Sequence, residues 1–101
     1  MIHVYVSYPS VTEAKKISHM LLNKHLVACA NFFPVHSSYR WKGRTVHKKE
    51  IISFVSTTKK HYKQIEKIIT KHHSYTVPCI MELPVNRVYT PYKKWVMHET
   101  S

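Results

Sequence analysis

The sequence predicts an α+β domain, an antiparallel sheet with two helices packed on one face. Three observations carry that prediction. Apolar residues alternate at period two at the start of the chain and again over residues 75–83. Apolar residues at helical spacing occur twice, once after Ser10 and once after Thr57. Between those two helices lie two long strands that meet at Lys42-Gly43, and Gly43 is the only glycine in the chain. The order is β-α-β-β-α-β with a short C-terminal helix, which is the ferredoxin-like split β-α-β sandwich with an unusually long β-hairpin. At 101 residues the chain is one domain, 1–101, with no repeat, linker or low-complexity tract.

In the first strand Ile2, Val4, Val6 and Tyr8 share one face, while His3, Tyr5 and Ser7 share the other. Pro9 ends the strand. Ser10-Val11-Thr12-Glu13 is a capping box, in which Ser10 accepts from the Glu13 amide and Glu13 reaches back to Ser10. Ala14, Ile17, Met20 and Leu21 then place a helix to about residue 24. The hairpin follows over 27–57. Pro34 cannot donate to a ladder, so it predicts a bulge or bend. The polar stretch His47-Lys48-Lys49-Glu50 lies in the outer half, and Ile51-Ile52-Ser53-Phe54-Val55 is apolar enough for a central strand. Fifteen residues of strand span about 50 Å, whereas a compact chain of this length has a radius of gyration of about 13 Å. The hairpin therefore bends, or it projects and pairs with another copy.

Thr57 or Thr58 caps the second helix, whose apolar face is Tyr62, Ile65, Ile68, Ile69 and His72. The strand expected over 75–83 contains Pro78, which favours an edge position or a bulge. Thr90-Pro91 opens the last helix, with Tyr92, Trp95 and Val96 on its apolar side.

Composition narrows the function. The formal net charge is +11, from 16 basic and 5 acidic residues with no aspartate. Such a field attracts anions, although the lysines are spread over several segments, as on an ordinary solvated surface. Met1 leads directly into a strand, with neither a charged leader nor an apolar run long enough to span a bilayer. Cys29 and Cys79 are too few for a disulfide framework. These features predict a cytoplasmic protein without a membrane partner. No glycine-rich phosphate loop, triad aspartate or spaced acid pair is present, so no enzyme activity is expected.

Two clusters stand out. His72 and His73 end the second helix, with Tyr75 two residues and Cys79 six residues beyond His73. An imidazole and a thiolate that converged there would suit copper or zinc. A closed site needs about four ligands, which only a site shared between subunits supplies. The plainer reading makes Cys79 a small buried hydrophobe and His73 a helix-end cation. At the turn, Arg40, Trp41, Lys42 and Arg44 place an aromatic ring among cations, suited to stacking on a base or to stiffening the hairpin. The other histidines are scattered and read as surface or satisfied groups.

These residues resemble the CutA divalent-cation tolerance family. The resemblance rests on Leu26-Val27-Ala28-Cys29-Ala30-Asn31 followed by Pro34-Val35, and on Tyr39-Arg40-Trp41-Lys42-Gly43 at the turn. It continues with Glu50 on the return strand, His73-Ser74-Tyr75-Thr76-Val77-Pro78-Cys79 after the second helix, and Tyr92-Lys93-Lys94-Trp95 near the end. The resemblance implies a homotrimer of PII-like architecture in which the hairpin lies against a neighbour. It also implies a role in tolerance of copper and other divalent cations. Trp41, His73 and Tyr75 would line a cleft between subunits, with Arg40 and Glu50 beside it. Departures from the family pattern are Thr76 and Cys79, where glutamates are usual, and Ser56, where a lysine is usual.

Three functions follow. The first is a homotrimeric cation-tolerance protein that takes a divalent metal ion, copper or zinc, or another small ligand in the cleft, with His73 and Cys79 as metal ligands and no essential cofactor. The second is a PII-like signalling or binding module for a small anionic ligand or, less favoured, a nucleic acid on the basic surface. The third, a small hydrolase of the acylphosphatase type, lacks the arginine needed after the first strand and ranks last.

Overall fold

A computed structural model describes all residues from Met1 to Ser101. The elements are β1 (Ile2–Tyr8), α1 (Val11–Asn23), β2 (Cys29–Trp41), β3 (Arg44–Thr57), α2 (Tyr62–His72), β4 (Ile80–Pro84) and α3 (Thr90–Glu99). A short 3-10 turn, Lys59–His61, leads into α2. The strands form one antiparallel sheet in the order β2-β3-β1-β4, as the predicted topology requires.

The alternation in β1 sorts the molecule into two sides. Ile2, Val4, Val6 and Tyr8 are buried and join Ala14, Ile17 and Leu21 of α1, Ile65 and Ile69 of α2, and Val55 of β3 in one core. Both helices therefore cover one face. The opposite face carries His3, Tyr5 and, across the pairing, Phe54. There the rings of His3, Tyr5 and Phe33 gather around Phe54 at centroid distances of 5.6, 5.6 and 5.4 Å. α1 and α2 lie on the other face, α3 reaches the edge of this patch through the Tyr92 hydroxyl at Ser56, and Phe33 stays 37% exposed and Met81 44% exposed.

The hairpin does not bulge. Its register is unbroken from Cys29 opposite Ser56 to Trp41 opposite Arg44, with Pro34 facing Ile51. β2 is an edge strand, and an edge tolerates a residue that cannot donate on its free side. The turn is the two-residue loop Lys42-Gly43, with both residues at positive φ (50° and 76°), which matches the twist of the flanking strands. The long axis is 45 Å against 26 and 21 Å, about the span of a continuous 13-residue strand such as β2.

Other expectations shift locally. Ser10 caps α1, accepting from the Glu13 amide at 3.2 Å. Glu13 does not reach back; its carboxylate accepts instead from the Ser74 amide at 3.0 Å. Residues 75–79 are not strand, because β4 begins only at Ile80, past Pro78. β4 does occupy an edge. His72 turns out to solvent, while Ile65 and Ile69 alone of α2 are fully buried. In α3 it is Val96 that is buried, and Trp95 is exposed.

Two histidines clamp the backbone at the end of α3. A carbonyl only accepts, so His61 donates through Nε2 to the Thr100 oxygen at 2.7 Å, and His25 donates through Nδ1 to the Glu99 oxygen at 3.3 Å. These bonds tie the end of α3 to the approaches of β2 and α2. His3 sits 3.2 Å from the Ser56 hydroxyl, which also meets the Tyr92 hydroxyl at 2.9 Å.

Candidate functional site

The face opposite α1 and α2 ends, toward the hairpin, in an open pocket of about 610 Å³. β1 contributes Tyr5 and Ser7, β2 contributes Tyr39 and Trp41, β3 contributes Glu50, and the segment before β4 contributes Tyr75 and Cys79. This convergence follows from strand parity. Glu50 lies two residues beyond Ile52, which pairs with Ser7, so Glu50 and Ser7 project from the same face. The 74–79 segment folds over that end of β1 because α2 stops at His72.

The centre of the pocket is a fixed polar chain. The Tyr75 hydroxyl donates to Glu50 Oε2 at 2.6 Å and accepts from Lys48 Nζ at 2.8 Å. Lys48 also stands 4.5 Å from the centre of the Tyr75 ring, a cation–π distance. Glu50 is 6% exposed, so its carboxyl group relies on the Tyr75 hydroxyl for a hydrogen bond. Burial, followed by the hydrogen bond to Glu50, pushes the Tyr75 hydroxyl well above the ordinary phenol range. Burial, with a smaller push from Glu50, raises the Cys79 thiol. Tyr5 rises for the same reasons, burial first, then Cys79 and Glu50. The acidic hydrogens of the pocket therefore stay in place at neutral pH.

His73 lies behind this wall. Its ring stacks on Tyr8 at 4.9 Å and packs on Tyr75 at 4.9 Å. The Ser7 carbonyl, 2.7 Å from Nε2, can only accept, and the Tyr75 amide, 3.0 Å from Nδ1, can only donate. The proton is therefore on Nε2, and the Nδ1 lone pair is taken. Within this chain both ring nitrogens are thus engaged by backbone groups, and the Glu13 carboxylate stands 3.5 Å from Nδ1. The role of His73 is to fix the backbone and ring of Tyr75. No group of three or more histidine, cysteine or acidic side chains converges in a way that could hold an ion.

Of the residues singled out in the sequence, Trp41, Glu50, Tyr75 and Cys79 meet in one pocket, and His73 buttresses it. They do so within a single chain. Arg40 does not line the pocket; its guanidinium reaches the Gly43 carbonyl at 3.5 Å and braces the turn. Sequence reasoning missed Lys48, Tyr5 and Tyr39. Parity alone would have found Lys48, two residues from Glu50 on one strand.

Comparison with known proteins bears on the whole chain. A profile of the family described as CutA1 divalent ion tolerance protein matches residues 2–99. The divalent-cation tolerance protein CutA of Thermotoga maritima is 38% identical over 96 residues, covering 95% of each chain. Among solved structures, CutA1 from Pyrococcus horikoshii superposes with a TM-score of 0.95 at 32% identity, over 100% of this chain and 99% of that one. The PII-like protein CutA from Nostoc sp. PCC 7120 superposes with a TM-score of 0.92 at 26% identity, over 100% and 98%.

Proposed function

This chain belongs to the CutA1 divalent ion tolerance family, and from that premise we propose that it is a homotrimer acting in the response to divalent cations such as copper. In this reading it catalyses no reaction and binds a small polar ligand in the Trp41–Tyr75 pocket. The observation that carries the reading is the pocket itself. Tyr5, Trp41, Glu50 and Tyr75 converge from four separate segments around a hydrogen-bonded chain already set in place. An aromatic face with exposed Phe33 and Met81 and a hairpin of 13- and 14-residue strands support self-association. Each leaves apolar surface or an unpaired strand edge that a second copy would cover.

The pocket offers an aromatic wall, hydroxyls from Ser37, Ser38 and Thr76, and one carboxylate beside one ammonium group. That set suits a small molecule bearing both hydrogen-bonding groups and a flat or apolar surface. A soft divalent ion is the second reading, resting on the Cys79 thiol and the Glu50 carboxylate in one pocket; the ion would have to displace the thiol proton that burial retains. Its remaining ligands would come from a neighbouring copy.

The test has two parts. Sedimentation should give a particle three times the 12.0 kDa chain mass; a stable monomer would sink the assembly reading. Thermal-shift titrations with small polar compounds, copper(II) and zinc(II) are then run on wild type, Trp41→Ala and Cys79→Ser. A compound stabilising wild type but not Trp41→Ala supports the small-ligand pocket. An ion response lost in Cys79→Ser and kept in Trp41→Ala supports the metal reading instead.

A further inference from the structure

The helical side of the sheet carries a second concavity, remote from the pocket. An open groove of about 600 Å³ lies between α1 and α2. Met20 and Ile68 form its apolar part, and Lys24, Lys67, Lys71 and His72 surround them. Met20 and Ile68 are half-buried and pack against the core, so the groove has a firm apolar floor. Lys24, Lys67 and Lys71 are exposed. Lys67 and Lys71 are one helical turn apart and rise from the same side of α2.

No internal counter-charge reaches these lysines. The chain has 5 acidic residues, and every one is engaged elsewhere. Glu13 holds the Ser74 amide, Glu50 the Tyr75 hydroxyl, and Glu66 the Tyr62 hydroxyl. Glu82 lies 3.8 Å from Lys59, and Glu99 lies 3.9 Å from His98. The groove is thus a cationic rim around apolar side chains, in a chain with no spare acid to neutralise it. Trimer formation through the aromatic face, as proposed above, would leave this side in solvent.

We propose that the α1–α2 groove docks an acidic amphipathic segment of a partner protein. Such a segment sets apolar side chains on Met20 and Ile68 and carboxylates against Lys24, Lys67 and Lys71, as an amphipathic helix does in a groove. The floor decides the class of partner. Nucleic acid would engage the lysines but leave Met20 and Ile68 unused, and the groove has no Phe, Tyr or Trp ring for a base to stack on; its one imidazole, His72, is held to the Ile68 carbonyl at 3.0 Å.

The proposal is tested on the full-length protein in its native assembly, at low ionic strength. The probe is a fluorescein-labelled helical peptide with glutamates and leucines on one face, followed by anisotropy. Lys67→Glu/Lys71→Glu should weaken binding by about tenfold or more, and Lys67→Gln/Lys71→Gln by an intermediate amount. Lys15→Glu/Lys16→Glu changes net charge equally, lies outside the groove on exposed positions, and should have little effect. Replacing the peptide leucines by serine should abolish binding. Equal weakening by both reversal pairs would reduce the effect to the general field of the protein and overturn the proposal. Tighter binding of a single-stranded oligonucleotide through the same lysines, or no peptide binding by wild type, would also overturn it. These lysines lie outside the Trp41–Tyr75 pocket, so failure here leaves the proposed function untouched.

Discussion

Tyr75→Phe isolates the polar chain of the pocket. The substitution keeps the ring, its 4.9 Å packing on His73 and its 4.5 Å contact with Lys48. It removes one oxygen, which donates to Glu50 at 2.6 Å and accepts from Lys48 at 2.8 Å. Glu50 is almost fully buried and has no other hydrogen-bond donor in the structure. A hydrogen bond to a charged group contributes about 1.5–3 kcal/mol, and a buried acceptor left without a donor costs a similar amount. Lys48 can swing partway toward the carboxylate, which favours the lower half of that range. The expected loss is therefore about 2 kcal/mol, read as a lower urea midpoint, or a melting temperature lower by roughly 8–16 °C for a domain of this size. Protomer concentration must be held fixed, because association is linked to stability. The matching cycle uses Glu50→Gln and the double variant. If the bond is what stabilises the site, Tyr75→Phe should cost far less in the Glu50→Gln background. A loss below about 0.5 kcal/mol in wild type, or full additivity in the cycle, would refute the reasoning.

Burial holds the His3 imidazole below its ordinary value of 6.5. The unfolded chain therefore takes up the proton first, and stability present above 6.5 is lost as pH falls below it; urea midpoints on acidification should show this, and His3→Phe should flatten the slope. Leu21 is 0% exposed in the core, so Leu21→Ala should cost about 2–5 kcal/mol by denaturant titration, and a cost under 1 would mean that α1 is not packed as described. Gly43 has φ +76 with open space around its missing Cβ, so Gly43→Ala should cost only the left-handed backbone penalty of about 1–2 kcal/mol. Lys42 shares that turn at φ 50, and Lys42→Asn should stabilise the hairpin by several tenths of a kcal/mol, measured as a raised midpoint.

The fold was legible because its signals were local and mutually consistent. The alternation of Ile2–Tyr8, the Ser10 cap and the single glycine at the turn each fix one element, and their order leaves few topologies. What misled was chemistry with two structural solutions. Pro34 reads as a bulge in a central strand, but β2 is an edge strand, where the missing donor costs little. Glu13 reads as a reciprocal cap, yet the Ser74 amide takes its carboxylate across 61 residues of sequence. No local pattern contains that partner.

The candidate site shows the same divide more sharply. The family resemblance grouped Trp41 and Tyr75, with Glu50 beside them, and spacing joined Cys79 to Tyr75; in the structure all four line one pocket, because strand parity and turn position determine where side chains point. Spacing did not determine what each group has left to give. His73 and Cys79 looked like a pair of soft ligands, but a ligand needs a free lone pair. The Ser7 carbonyl and the Tyr75 amide consume both nitrogens of His73. The same bonds turn His73 into the support that aims Tyr75 at Glu50. Convergence of reactive residue types thus follows from topology, whereas their availability follows from hydrogen bonds to backbone groups that any residue could have supplied. A metal ion in this pocket would therefore have to displace backbone hydrogen bonds at His73 and a proton that burial holds on Cys79.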